Sequence, residues 1–117
     1  MSAERYTSLD YLNEMTGGDP DFTREMIDMF LLQIEEFRGE LKEYYDAQKW
    51  KELGELAHKA KSSMLTFGMD ELGWKLKELQ LKTQRLEDVP SYHSYLELFD
   101  EQCNQAIIEL KGDLEKL

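Results

Sequence analysis

Cysteine, proline and positive charge are all scarce in this chain, and each scarcity excludes something. The 117 residues contain one cysteine, Cys103. A lone thiol cannot close a disulfide within the chain, so a cross-linked scaffold is excluded and a reducing compartment is compatible. The two prolines stand at positions 20 and 90, which leaves the stretch between them free of the strongest helix breaker. Long apolar runs are missing too. None approaches the roughly 20 residues that a bilayer span requires, and MSAERYTSLD has no apolar segment of the secretory-leader kind. Fourteen Lys and Arg face twenty-five Asp and Glu, a net charge of −11. That balance argues against nucleic acid, whose binders carry a basic footprint, and against anionic membrane surfaces. No glycine-rich phosphate loop or kinase nucleotide motif occurs, so no ATP site is expected. The expected protein is soluble and cytoplasmic.

What is present is helical. Leu, Glu and Lys dominate, and 117 residues suit one domain spanning 1–117, with residues 1–7 expected to be frayed. Ser8 is placed to cap a short helix through Leu9, Tyr11, Leu12 and Met15, which Gly17-Gly18 would end. Asp19-Pro20 then opens a long helix over about 20–46. Its apolar stripe is Phe22, Met26, Phe30, Ile34, Phe37, Leu41 and Tyr44. Leu31 and Leu32 fall off that stripe and are expected to cover the short first helix, with a docking patch as the alternative. A third helix runs from Trp50 to Phe67, and a fourth from about Asp70 carries Leu72, Leu76, Leu79, Thr83 and Leu86 on one face. Pro90 breaks the pattern. The last helix, about 91–115, buries Tyr92, Tyr95, Leu96, Phe99, Cys103, Ala106, Ile107, Leu110 and Leu114, with His93 at the surface. The expected fold is all-α: an up-and-down antiparallel four-helix bundle with a short extra N-terminal helix.

The informative stretch is AHKAKSSMLTFG, residues 57–68. At about 100° per residue, Leu53, Leu56, Ala60, Met64 and Phe67 gather on one side and form a core stripe. Lys51, Gly54, His58, Lys61, Ser62 and Leu65 gather on the other. His58 therefore stands off the core, with a cation one turn on and a small hydroxyl beside it. Gly68 and a short connection imply an antiparallel hairpin with the fourth helix, which brings Gln80 near His58.

These residues resemble the signature of histidine-containing phosphotransfer (HPt) domains. His58 with Lys61 at +3, a small residue at +4, Ser63, Gly68 at +10 and Gln80 at +22 follow the family's pattern. GDPDFTREMIDMFL, residues 18–31, is similar to the family's entry into its first long helix. The resemblance covers roughly residues 8–116. Two positions depart from it: Ser62 stands where the family usually has glycine, and Ala60 where a larger apolar residue is usual.

The resemblance implies a phosphorelay protein. His58 would accept a phosphoryl group from a receiver-domain aspartate and pass it to another receiver. Its partners would be response-regulator receiver domains, a hybrid histidine kinase, or both. The chain itself would need no cofactor, because Mg²⁺ belongs to the partner receiver, and it would act as a monomeric phosphotransfer intermediate rather than an autonomous kinase. The residue chemistry agrees with these roles. Neutral imidazole has a free lone pair near pH 7, and Lys61 is placed to balance phosphoryl charge. Ser62 could donate to a phosphoryl oxygen, and Gln80 could accept from Nδ1–H and leave Nε2 to attack. Gly54 and Leu65 are expected at the partner contact. The alternative is a module that docks receivers or kinases as a regulator without transferring phosphate, which the Ser62 departure keeps open. A metal-binding bundle is disfavoured: the Glu-x-x-His spacing such sites use occurs once, at Glu55 and His58, away from the core stripe.

Overall fold

Asp19 starts the helix on which the bundle is built. Its Oδ1 accepts from the amides of Asp21 (3.0 Å) and Phe22 (3.5 Å), and Pro20 fills the first helical position, where a missing N–H costs nothing. The structure is a computed structural model and describes residues 5–117. Among them the helices are α1 (Asp10–Thr16), α2 (Pro20–Asp46), α3 (Trp50–Thr66), α4 (Asp70–Arg85) and α5 (Tyr92–Glu115), with a 3₁₀ turn at Val89–Ser91 before α5. The chain is all-α, and α2 to α5 form the antiparallel four-helix bundle, with α1 as the short additional helix. None of these helices is long and apolar enough to cross a membrane.

The core follows the helical spacing of the apolar residues. From α2 it takes Ile27, Phe30, Ile34, Phe37 and Leu41; from α3 Leu53, Leu56, Ala57, Ala60 and Met64; from α4 Leu72, Leu76 and Leu79; from α5 Tyr92, Tyr95, Phe99, Cys103, Ala106 and Leu110. Phe30 and Phe67 stack with ring centroids 4.1 Å apart and planes 5° from parallel. Burial pushes the Cys103 thiol up to about 12, in keeping with a structural cysteine.

Four expectations change. Phe22 and Leu32 are exposed. In the first two turns of α2 the inward positions go to Thr23 and Ile27, while position 32 lies about 200° from both Phe30 and Ile34 and so points away from the core. Leu31, nearer the stripe, packs partly against it. The short helix needs no cover from Leu32, because α1 inserts its own Leu12, which is fully buried. Leu86 is exposed because the chain leaves α4 there in a left-handed conformation, φ 52°.

The fourth correction is the N-terminal lead. Residues 1–4 lie outside the described residues, but Arg5 to Thr7 are bound rather than frayed. The Glu109 carboxylate accepts from the amides of Tyr6 (3.0 Å) and Thr7 (2.9 Å) and from the Thr7 hydroxyl (2.6 Å). Arg5 makes two bonds to Asp113, at 3.0 and 2.6 Å. The Ser8 amide then donates to the Phe67 carbonyl at 2.8 Å, and the Ser8 hydroxyl accepts from the Asp10 amide at the start of α1.

Candidate functional site

The α3–α4 hairpin has two close approaches, each made possible by a glycine. Gly54 of α3 is buried against α4, and a Cβ there would overlap the Thr83 hydroxyl. Gly73 of α4 is buried at the other end, where a Cβ would stand 2.6 Å from Leu65 Cδ2. Between these two contacts the helices present His58 and Gln80 to each other. The turn that sets the hairpin has Gly68 at φ 76°, with the Ser8 backbone so near that a Cβ would lie 2.8 Å from its amide nitrogen.

His58 is exposed on α3, and its Nδ1 lies 3.0 Å from Gln80 Oε1. An amide oxygen only accepts, so Nδ1 carries the proton and donates. The Nε2 lone pair is then left free and faces solvent. Lys61, one turn on, is half-buried, and its Nζ sits over the Trp74 ring at 5.9 Å from the centroid. Ser62 is exposed. Its carbonyl accepts from the Thr66 hydroxyl at 2.9 Å, while its own hydroxyl makes no bond among the described residues. Ser63 points elsewhere, donating to Gln33 Oε1 at 3.1 Å and tying α3 to α2.

The structure thus brings His58, Lys61, Ser62 and Gln80 to one face. Gly54 and Leu65 are on the same side of α3 but serve the helix contact: Gly54 is buried beneath Thr83, and Leu65 is half-buried against Gly73. Both residues, expected at the partner contact, pack here against α4 along the edge of α3 on which they stand. Exposed apolar side chains on α2 and α4 include Met29 and Leu32, and Trp74 and Leu81. Met29 shares a shallow depression with Ser63 and Thr66 of α3. Sequence reasoning missed Trp74. The available signal was a tryptophan among charged residues of α4, one residue past the packing glycine.

The charge distribution also marks this hairpin. α3 and α4 hold half of the fourteen basic residues but only five of the twenty-five acidic ones: Glu52, Glu55, Asp70, Glu71 and Glu78. The hairpin is thus net positive by two charges on a chain of net charge −11. Among the described residues, no group of three His, Cys, Asp or Glu side chains is arranged to hold a metal ion.

The family model for the Hpt domain matches residues 25–117. The chain belongs to the Hpt domain family. No curated protein and no solved structure matches it significantly. Hpt domains work in phosphorelays with receiver domains and kinases, and this Hpt domain presents an exposed imidazole whose far nitrogen is already engaged. The match begins inside α2, so α1 and the bound N-terminal lead stand outside it.

Proposed function

We propose that His58 is the phosphoacceptor of a phosphorelay, taking a phosphoryl group from a receiver aspartate and handing it to another receiver. The observation that carries this reading is the His58–Gln80 hydrogen bond on an otherwise exposed imidazole. The Nε2 lone pair attacks phosphorus, the Nε2–P bond forms, and the bond to the aspartate oxygen breaks to release a carboxylate. Nδ1 keeps its proton throughout, so the ring becomes cationic as the bond forms. Its donation to Gln80 Oε1 therefore strengthens towards the transition state, which is where a bond accelerates the step. Lys61 supplies the mobile positive charge for the equatorial oxygens, and Ser62 has a free hydroxyl beside them. The partner receiver supplies Mg²⁺ and the phospho-aspartate.

The test mixes the protein with acetyl-phosphate-charged receiver domains from the same genome and follows label on a phosphate-affinity gel. Transfer that disappears in His58→Gln and falls in Lys61→Ala is the expected result. Binding without transfer to or from any receiver overturns the relay role in favour of a docking regulator. Ser62→Gly is then the first reversion to make.

A further inference from the structure

We infer that Trp74 is a positioning residue that parks the Lys61 ammonium away from His58 until a phosphoryl group draws it back. This rests on the reading of His58 as phosphoacceptor. The register of the hairpin supports it. His58 stands opposite Gln80, and Leu65 stands opposite Gly73. Lys61 lies between those two levels on α3, and by the same register its counterpart on α4 is Lys77. Gly73 faces α3 directly and Gln80 bonds across to it. Lys77, four residues after the first and three before the second, therefore shares their face. Lys61 and Lys77 thus occupy the same level of the seam, both half-buried.

Trp74 lies one turn nearer the start of α4, at the level of α3 beyond Lys61 and farther from His58. Helical side chains lean towards their own N-terminus, so the Trp74 indole leans farther still in that direction, while Lys61 by the same rule would lean towards His58. Its ammonium is found instead over the Trp74 ring, 5.9 Å from the centroid. The ring face attracts a cation and holds it there. Trp74 is 59 % exposed, so the contact is weak enough to yield. A phosphoryl group on His58 places a dianion one helical turn from the Lys61 stem and outcompetes an exposed ring face. Lys61 then exchanges the indole for the phosphoryl oxygens.

Side-chain NMR of labelled protein tests the exchange. The Lys61 ε-methylene protons are expected to be shifted upfield by the Trp74 ring current in the resting protein. That shift is lost in Trp74→Leu and kept in reduced form in Trp74→Phe. Phosphoramidate then charges His58: its P–N bond breaks, ammonia leaves, and phosphohistidine is verified by its ³¹P signal. The upfield shift is lost on charging, and His58→Glu, which needs no donor, also reduces it. Trp74→Leu phosphorylates about two- to five-fold faster, because Lys61 no longer has to leave the ring, and Trp74→Phe falls between. An unshifted Lys61 in the resting protein overturns the inference. So does a shift that survives a confirmed phosphohistidine, or an unchanged rate in Trp74→Leu. If no phosphohistidine forms at all, the relay reading fails by itself, and a shift unchanged in His58→Glu decides against the parking.

Discussion

His58 Nδ1 and Gln80 Oε1 meet at 3.0 Å across two helices, from positions 22 residues apart. One hydrogen bond therefore fixes both the ring's orientation and its tautomer. Replacing Gln80 with Leu removes the acceptor while leaving the backbone untouched. A net loss of about 1 kcal/mol is expected, a slowing of roughly five-fold in phosphoryl transfer. ¹⁵N NMR of the ring shows whether the cause is right: the Nδ1–H form gives way to a mixture in Gln80→Leu. A ring that keeps the wild-type tautomer in that variant would refute the assignment.

Gly54 and Gly39 give opposite outcomes for the same substitution. Nothing lies within 4 Å of a Cβ at Gly39, so Gly39→Ala gains helix propensity and stabilises by about 1 kcal/mol. At Gly54 the new methyl overlaps the Thr83 hydroxyl and forces α3 from α4. About 2 kcal/mol of destabilisation is expected, roughly 10 °C in Tm, with weaker His58–Gln80 contact. Thermal melts of the two variants settle the contrast, and Gly54→Ala/Thr83→Ala recovers part of the loss.

The carboxylate that anchors the N-terminal lead makes stability depend on pH. Burial pushes the Glu109 carboxyl up, but bonds from the Thr7 hydroxyl and the Tyr6 and Thr7 amides outweigh it and hold the group below its ordinary value of 4.5. A carboxyl depressed in the folded state adds stability above its unfolded pKa and loses it as pH falls through the folded one. Glu109→Gln is therefore less stable than the native chain at pH 7, and the difference shrinks below about pH 4.5. Urea midpoints taken from pH 7 down to pH 3 read this directly. A gap that stays constant with pH contradicts it.

Cys103 is inert while the bundle is closed. Its thiol is fully buried and pushed up to about 12, and only the thiolate reacts. Iodoacetamide at pH 8 is expected to leave the folded protein unlabelled and to modify it fully in denaturant. Labelling of the native protein would mean that α5 opens locally.

The sequence made the frame legible because the relevant spacings are local. Phe30, Ile34, Phe37 and Leu41 recur at helical intervals and are buried, and Asp19-Pro20 announces a helix start that the structure contains. His58 and Gln80 could be paired because a short turn makes a hairpin of their helices. What stayed hidden depends on contacts between distant segments. Nothing near Glu109 in sequence says that residues 6 and 7 will supply its donors. Gly54 could be assigned to the His58 side from angle alone, but only the nearness of Thr83 shows that this edge is covered. Trp74 likewise gained meaning from the register that sets Lys61 beside it.

The bound N-terminal lead has a topological consequence. Arg5 holds Asp113, and Arg24 holds the Leu117 carbonyl at 3.0 Å, so Arg5 and Leu117 lie at one pole of the bundle. The Ala47–Lys49 link lies at the other pole, beside the Tyr45–Trp50–Tyr92 rings. A circular permutant that bridges Arg5 to Leu117 through a short flexible linker and opens at the Ala47–Lys49 link is expected to keep every helix intact.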